Sequence, residues 1–259
     1  MLIVSAIVDT GLVRQKNDDR ILLDDKVYST GEYSHAVRGY RYLAAVADGV
    51  GGEGFGEEAA QTALECIAGI GGQEITETML SDVISKANEA VMGKQAEDLA
   101  RARMATTLAG VYIDGDDLIT FNVGDSRVYR IRDGLMMRLT HDHSEVQELL
   151  DHGYIDEAEA MNHPKRSIIT RFIGHPQLCL PDIVKYEGKF LPGDLLLLCS
   201  DGLTDQLEEK EIENIMDVEG VSLQLRAWQL IHLTHEKGGF DNTSIILIHK
   251  NGGTDRYDG

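Results

Sequence analysis

Residues 106–134 have the sequence TTLAGVYIDGDDLITFNVGDSRVYRIRDG, in which three apolar stretches are separated by polar turns. The stretches cover residues 106–113, 118–123 and 127–132, and Asp-Gly pairs follow the first and the third of them. Short β-prone runs joined by such turns are typical of β-hairpins, whose strands are antiparallel. We therefore predict that these three strands form consecutive hairpins of one antiparallel sheet.

The rest of the chain alternates between further apolar strands and amphipathic helices. Other strands are predicted at residues 2–8, 42–47, 195–199 and 244–248. Apolar residues at spacings of three and four predict helices at residues 57–70, 76–103, 144–152, 207–216 and 223–235. An antiparallel meander with separate helical pairs favours an α+β fold, in which sheet packs on sheet and the helices lie outside.

Composition and charge exclude several classes of function. The chain has 259 residues, and 24 Lys and Arg against 44 Asp and Glu give a formal charge of −20. So acidic a chain has no electrostatic footprint for nucleic acid or an anionic membrane, and no apolar run approaches the length that spans a bilayer. The N-terminus has no basic flank, so it is predicted to be a first strand and not a signal peptide.

The cysteines indicate the redox compartment. Cys66, Cys179 and Cys199 are an odd number, scattered along the chain, and they form no disulfide framework and no zinc-binding spacing. We therefore expect a cytoplasmic protein. Cys199 lies beside Ser200 and Asp201, but nothing cationic in the local sequence would lower its pKa, so we interpret it as a buried strand residue and not a nucleophile.

Aspartates recur where apolar strands end. Four of them follow or precede an apolar run beside a small or turn-forming residue, namely Asp48, Asp125, Asp201 and Asp241. Each could be an ordinary Asp-Gly or Asp-Ser turn residue. Four together favour a metal site, because two carboxylates about 5 Å apart repel by about 3 kcal/mol at an effective dielectric constant of about 20. Ligands that are all oxygen select hard ions such as Mg²⁺ or Mn²⁺.

A second polar cluster follows the first strand. Arg14 is followed by Asn17, Asp18 and Asp19, which could form a polar turn and nothing more. As a functional cluster, it places one arginine near two further carboxylates. An arginine in an acidic site is a bidentate ligand for phosphate, so metals with an arginine suit a phosphoryl substrate.

One glycine motif is misleading. Residues 49–54, Gly-Val-Gly-Gly-Glu-Gly, match G-x-G-x-x-G after a strand and before a helix. A dinucleotide site is rejected because a second helix, not an acidic strand, follows the first helix, and because Asp48 would repel a pyrophosphate. These glycines more plausibly let the backbone approach a metal, with a carbonyl oxygen as ligand.

Seven blocks of sequence occur in the order TGLVRQKNDD, VADGVGGEGFGEEAA, MATTLAG, NVGDSRVYRIRDG, LTHDHSEVQELLDHGYIDEAEAMNHPKRSIITRFIG, PGDLLLLCSDGLTDQL and DNTSIILI. Together they resemble the metal-dependent PPM family, the protein phosphatase 2C-like Ser/Thr phosphatases. The resemblance covers about Val8 to Ile248, and the long fifth block resembles the bacterial branch. It implies a central antiparallel β-sandwich flanked by helix pairs, in α-β-β-α layers, with a metal centre at one end.

The resemblance also implies roles for single residues. Asp48 would bridge two metal ions, the Gly49 carbonyl would bind one of them, and Asp201 and Asp241 would bind the other. Asp125 together with Asp201 would match a third metal site of bacterial members.

Further roles follow for the loop after the first strand and for a flap. Asp18 and Asp19 would hold metal-bound waters, and Arg14 would bind the substrate phosphate. Residues 142–174 would form a flap beside the site. A water between two Mn²⁺ or Mg²⁺ ions would attack phosphorus in line, and a third ion could also be present.

Three positions depart from the family pattern. Asp18 stands where Glu is usual, Val50 replaces a histidine proposed as general acid in animal members, and Glu53 replaces a histidine common in bacterial members. The acid that protonates the leaving group is therefore unassigned, and a metal-bound water, Glu53 or a flap histidine could serve.

These features lead to one principal hypothesis and two alternatives. The principal hypothesis is a Mn²⁺- or Mg²⁺-dependent phosphatase of phosphoserine and phosphothreonine proteins that opposes a bacterial Ser/Thr kinase. We expect a monomer with one catalytic domain at residues 1–250 and a polar tail at 251–259. The alternatives are an inactive phosphoprotein-binding relative and a hydrolase of small phosphate esters.

Overall fold

Two large β-sheets with helices outside them form the computed structural model, which describes residues 1–50, 55–177, 179–218 and 220–252. The strands are β1 (Leu2–Asp9), β2 (Arg20–Leu23), β3 (Lys26–Tyr28), β4 (Gly31–Val37), β5 (Arg41–Ala47), β6 (Gly49–Val50), β7 (Ala105–Thr106), β8 (Leu108–Asp114), β9 (Asp117–Val123), β10 (Arg127–Arg132), β11 (Leu135–Arg138), β12 (Asp182–Tyr186), β13 (Leu195–Cys199) and β14 (Thr243–Lys250). The helices are α1 (Gly56–Ala68), α2 (Glu77–Glu97), α3 (Glu145–Asp151), α4 (Glu157–Met161), α5 (Asp201–Thr204), α6 (Glu209–Met216) and α7 (Leu223–Glu236).

Each large sheet has six strands, and the neighbouring strands in both sheets are antiparallel. The first sheet has the order β11-β10-β13-β14-β1-β4, and the second has the order β12-β9-β8-β5-β2-β3. Strand β13 consists of Leu195–Cys199 and is buried throughout, which explains why it is a continuous apolar run and not an alternating one.

Apolar side chains fill three layers. The layer between the sheets contains Val46 of the second sheet and Leu198 of the first. Helices α1 and α2 cover the outer face of the second sheet, and α6 and α7 cover the outer face of the first. This α-β-β-α arrangement confirms the predicted α+β sandwich.

The predicted single meander is wrong at its third strand. Strands β8 and β9 form the expected hairpin of the second sheet, but β10 belongs to the first sheet. The chain crosses between the sheets at residues 124–126, where Gly124 has φ +108°, a conformation that side chains with a Cβ rarely adopt. Asp125 therefore lies on a bend between the two sheets and not in a hairpin turn.

One predicted helix needed correction, and three strands were not predicted. The helix predicted at 76–103 ends at Glu97, because Asp98 is extended and starts a separate 3₁₀ turn, Leu99–Arg101. Strands β2, β3 and β4 were not predicted, since residues 20–37 mix charged and apolar residues without clear alternation.

Strand register brings the polar strand ends to one end of the sandwich. In the first sheet, Asp9 at the end of β1 pairs with Thr243 at the start of β14, and Cys199 at the end of β13 pairs with Arg127. In the second sheet, the start of β2 pairs with Ala47 at the end of β5. The four strand-end aspartates adjoin these positions.

The segment 142–174, predicted to be a flap, contains the short helices α3 and α4. Its ends are attached to the sandwich: His143 and Gly124 are joined through their backbones, and Ile173 and Thr106 exchange two backbone hydrogen bonds. In the described ranges, every helix is too short or too polar to cross a membrane.

Candidate functional site

Asp48 follows β5 and is held through its backbone. Its N–H donates to Thr107 Oγ1 at 3.0 Å, and its carbonyl accepts from the Thr107 N–H and the Thr106 hydroxyl, both at 2.9 Å. The Thr107 hydroxyl lies 2.7 Å from that of Ser126, the residue after Asp125. One buried threonine thus connects the strand end that bears Asp48 with the bend that bears Asp125.

The carboxyl groups of Asp48 and Asp201 are neighbours in the cleft, and each affects the pKa of the other. Desolvation raises the pKa of Asp48 well above its ordinary value, and the charges of Asp201 and Asp19 raise it further. Desolvation, followed by the charge of Asp205, raises the pKa of Asp201 to about 6. Both shifts have the same cause, since anions are placed together in a cleft with little solvent.

Asp19 precedes β2 and is almost completely buried, with 1% of its surface exposed. The Ser200 hydroxyl donates to Asp19 Oδ2 at 2.7 Å and accepts from the Ser244 N–H at 3.0 Å. Burial raises the pKa of Asp19 to about 7, although this hydrogen bond favours its ionised form. Ser200 therefore ties Asp19 to the strand end that bears Asp201.

Asp125 faces the same cluster from the bend between the sheets. Desolvation raises its pKa strongly, and the charges of Asp201, Asp142 and Asp205 raise it further. Neighbouring Asp142 is held by Arg127, which donates to both of its oxygens at 2.6–3.1 Å.

Arg14 forms an ion pair with Asp241, with a distance of 2.7 Å between Nη2 and Oδ2. This pair, and the nearby charges of Asp48 and Asp201, raise the pKa of the guanidinium. The side chain remains 55% exposed, so it can reach a molecule in the cleft. The sequence analysis predicted that Arg14 would lie near Asp18 and Asp19. In the structure its ion-pair partner is Asp241, which is 227 positions away in the sequence.

Asp18 lies at the edge of the cluster. Desolvation raises its pKa, and the strongest charge on it is that of Glu57 at the start of α1, which also contributes a backbone hydrogen bond. Gly49 packs so closely against the backbone of Gly56 and the carbonyl of Asp18 that a Cβ would clash there. The glycine is thus required by close packing beside the acidic cluster.

The cluster fits a divalent cation in its chemistry. Buried oxygens of Asp18 and Asp201 have no hydrogen-bond partner among the described residues. The atoms available to coordinate a cation are carboxylate oxygens, with backbone carbonyl oxygens nearby. Among the described residues, we find no group of three or more His, Cys, Asp or Glu side chains that is already close enough to hold a metal ion. An ion bound among these carboxylates would therefore have to draw them closer together.

A cavity of about 730 Å³ opens beside Asp125 and Asp201. The flap helices α3 and α4 form one wall, and the residues from α5 to the start of α6 form the other. Pockets of this size hold small molecules or several side chains.

The structure adds residues that sequence reasoning missed. Asp205 lies one turn after Asp201, and Arg166 of the flap binds it at 2.9 Å. The side chain of Asn242 accepts from the Asp18 N–H and donates to the carbonyls of Thr10 and Lys16, which fixes the loop that bears Arg14. A usable signal was present, because a polar residue adjoins each of three strand-end aspartates, as in Asp125-Ser126, Ser200-Asp201 and Asp241-Asn242.

The residues considered as the acid that protonates the leaving group differ in their positions and in their ability to donate a proton. Val50 is 41% exposed and has no proton to donate. Glu53 lies outside the described residues. Among the flap histidines, His143 is buried with Nδ1 against the Gly124 N–H and Nε2 against Arg171 and Asp182. Burial lowers the pKa of His143, so it is neutral near pH 7 and already engaged.

Comparison with known proteins identifies the family. The protein phosphatase 2C profile matches residues 17–228. A Serine/threonine phosphatase stp from Listeria innocua is 34% identical over 217 residues, which is 81% of this chain and 84% of that protein. The chain therefore belongs to the protein phosphatase 2C family.

Solved structures agree with this assignment. The serine/threonine phosphatase PstP/Ppp of Mycobacterium tuberculosis superposes with a TM-score of 0.83 and 30% identity, over 97% of this chain and 100% of that one. A catalytic domain of PstP, solved in complex with two manganese ions, gives a TM-score of 0.80 and 28% identity over 96% and 99% of the two chains.

Proposed function

We propose that this protein is a Mn²⁺- or Mg²⁺-dependent phosphatase that removes phosphate from phosphoserine and phosphothreonine in proteins. One observation carries the proposal: the carboxyl groups of Asp19, Asp48, Asp125 and Asp201 are buried in one cleft, where desolvation and neighbouring carboxylates raise their pKa, beside the arginine that pairs with Asp241. Such a group of anions is stable in its ionised form only when cations are bound. The names and the manganese complex of the relatives support the same activity.

The proposed metal ligands are those that the family resemblance implies. Asp48 would contact two ions, with the Gly49 carbonyl on one and Asp201 and Asp241 on the other. Asp18 and Asp19 would hold water molecules of the centre. Asp125 with Asp201 would hold a third ion, and we add Asp205 because its charge acts on both of these carboxyls.

The protein side chains then have separate tasks. Bound divalent ions supply Lewis acidity, which makes water a nucleophile near neutral pH and offsets charge on the phosphoryl oxygens. Arg14, once released from Asp241, binds the phosphate in a bidentate manner and orients it. Asp19, held by Ser200, accepts hydrogen bonds from water and directs its lone pair. Val50 cannot protonate the leaving serine or threonine oxygen, so that proton comes from another group.

The remaining proposals concern context. Residues 1–250 would form one catalytic domain with its flap at 142–174, and 251–259 would be a polar tail, most of which lies outside the described residues. The three cysteines are free thiols, which supports a cytoplasmic location. We propose a monomer that opposes a bacterial Ser/Thr kinase, and light scattering on the purified chain would measure its mass.

Hydrolysis of a phosphothreonine peptide is expected to require added Mn²⁺ or Mg²⁺. Chelation by EDTA should lower turnover to under about 1% of the metal-loaded rate, because one ion is worth several kcal/mol in the transition state. Phosphate release is measured from the peptide and from a panel of small phosphate esters. Undiminished turnover in EDTA would contradict the metal requirement, and turnover of esters alone would exclude protein substrates.

The Thr107 hydroxyl is expected to position the metal ligands on both sides of it. Thr107→Val keeps the shape of the side chain but leaves the Asp48 N–H and the Ser126 hydroxyl without their partner. A lost buried hydrogen bond costs about 1–3 kcal/mol, so Mn²⁺ affinity measured by calorimetry should fall about tenfold. Thr107→Ser keeps the hydroxyl and should restore binding. Equal Mn²⁺ affinity in the valine and serine variants would show that the hydroxyl does not position the ligands.

A further inference from the structure

The cavity beside Asp125 and Asp201 shares these two residues with the acidic cluster. A phosphopeptide bound at the cluster would therefore have flanking side chains near this cavity. Apolar atoms of Leu150 and Met161 line it on the flap side. The cavity therefore combines an apolar wall with a charged rim.

The charges of that rim are unbalanced. Eight acidic and four basic residues line the cavity, and three of the acidic ones, Asp125, Asp201 and Asp205, are proposed metal ligands, which leaves five. Each of the four cations already has an anionic partner: Arg127 and Arg138 contact Asp142, Arg166 contacts Asp205, and Lys210 contacts Glu213. They are therefore not free to attract an acidic peptide.

Three glutamates of the rim have no cationic partner among the described residues, although Glu208 takes part in the capping box of α6 and Glu209 accepts a hydrogen bond from the Tyr129 hydroxyl. Glu157 is the first residue of α4, and Glu208 and Glu209 lie at the start of α6. All three side chains are exposed, and in the part of the chain that the structure describes none of them forms a salt bridge. Glu157 lines the cavity from the flap and Glu208 lines it from the start of α6, so the two glutamates belong to different walls.

We propose that this cavity is a specificity subsite for an arginine or lysine that flanks the phosphorylated residue. The proposal rests on the proposed phosphatase function and names its substrate class. The aliphatic part of the basic side chain would pack on Leu150 and Met161, and its charged end would lie between Glu157 and Glu208. The net charge of −20 also favours basic substrates, because a negative protein attracts positively charged peptides.

The test is a series of phosphothreonine peptides based on alanine, in which one arginine or one glutamate is placed in turn at each flanking position. The measured quantity is kcat/KM for each peptide with the Mn²⁺-loaded protein. At one or two positions, arginine should raise kcat/KM about fivefold over alanine and glutamate should lower it, as expected for two partly exposed ion pairs. The preference should diminish at high salt.

The double variant Glu157→Gln, Glu208→Gln should flatten this profile to within about twofold, since the charges are lost and the side-chain lengths remain. Each variant is judged by the ratio of its own arginine and glutamate peptides, so a general loss of activity does not affect the result. Glu89→Gln on α2, an exposed glutamate outside the cavity lining, is the matched control and should keep the preference.

A flat profile for the unmodified protein, a preference for glutamate, or an arginine preference that survives in the double variant would overturn the subsite. These outcomes differ from failure of the proposed function, in which no phosphothreonine peptide of the series is hydrolysed.

Discussion

Asp48→Asn is expected to lower turnover of p-nitrophenyl phosphate at least about 10³-fold and at the same time to raise the melting temperature of the metal-free protein. The loss of turnover follows because Asp48 is the proposed ligand common to two ions, and several kcal/mol of transition-state stabilisation depend on them. Calorimetry should show a matching loss of Mn²⁺ binding.

The gain in stability has a separate physical reason. Asp48 lies in a desolvated cleft where Asp201, Asp19 and Asp125 all oppose its ionisation. An amide of the same shape cannot ionise, so it removes the free-energy cost of holding this carboxyl among anions, whether the carboxyl is ionised or protonated, and it keeps an oxygen that can accept a hydrogen bond. The backbone bonds from Asp48 to Thr106 and Thr107 do not involve the side chain, so the strand end should stay in place.

Opposite effects on activity and on metal-free stability distinguish a metal ligand from a structural residue, whose loss would lower both. Asp82→Asn on α2, an exposed aspartate on the outer face, changes the net charge equally and should alter neither quantity. Retention of more than a tenth of the turnover in Asp48→Asn would exclude Asp48 as a shared ligand.

The sequence allowed us to predict those site residues that lie next to apolar strands. Asp48, Asp125, Asp201 and Asp241 were recognisable because a carboxylate at the end of a buried strand is unusual, and the structure brings them to one end of the sandwich. Asp205 was not predicted, since its position depends on a helix that starts at Asp201, whereas the periodicity began only at residue 207.

Contacts between residues that are far apart in the sequence could not be predicted. The partner of Arg14 is Asp241, and Asn242 fixes the loop before β2. The sequence shows a polar residue beside Asp241, but no local pattern indicates which distant groups these two side chains contact. In the fold, Leu195–Cys199 and Arg127–Arg132 were predicted with their observed bounds, because both are strongly patterned. The assignment of β10 to the other sheet depends on packing between layers, and local turn chemistry does not determine it.

The metal-free protein is expected to lose stability as the pH rises from 5 to 8. Burial raises the pKa of Asp19 to about 7 and that of Asp201 to about 6, whereas both would titrate near about 3.9 in the unfolded chain. Between pH 5 and these folded pKa values, the unfolded chain has released the protons and the folded chain still holds them. A raised pKa of an acid therefore stabilises the fold at low pH, and that contribution is lost as the pH rises through the folded pKa.

These two groups alone correspond to about 4 kcal/mol between pH 5 and pH 8. For a chain of this length, the melting temperature in EDTA should fall by about 7 °C over that range. Saturating Mn²⁺ should reverse the loss at pH 8, because an ion that binds only the folded, ionised cluster stabilises it by mass action.

The acidic surface also repels itself more strongly as the pH rises, so the contribution of the site has to be separated from that of the whole charge. Asp19→Asn removes one of the buried titrating groups but can still accept the Ser200 hydrogen bond, and it should flatten the pH dependence in EDTA. Asp82→Asn removes an exposed charge and should leave the slope unchanged. If both variants kept the full slope, the loss would belong to the surface, and the buried cluster would not be the cation-dependent element of the fold.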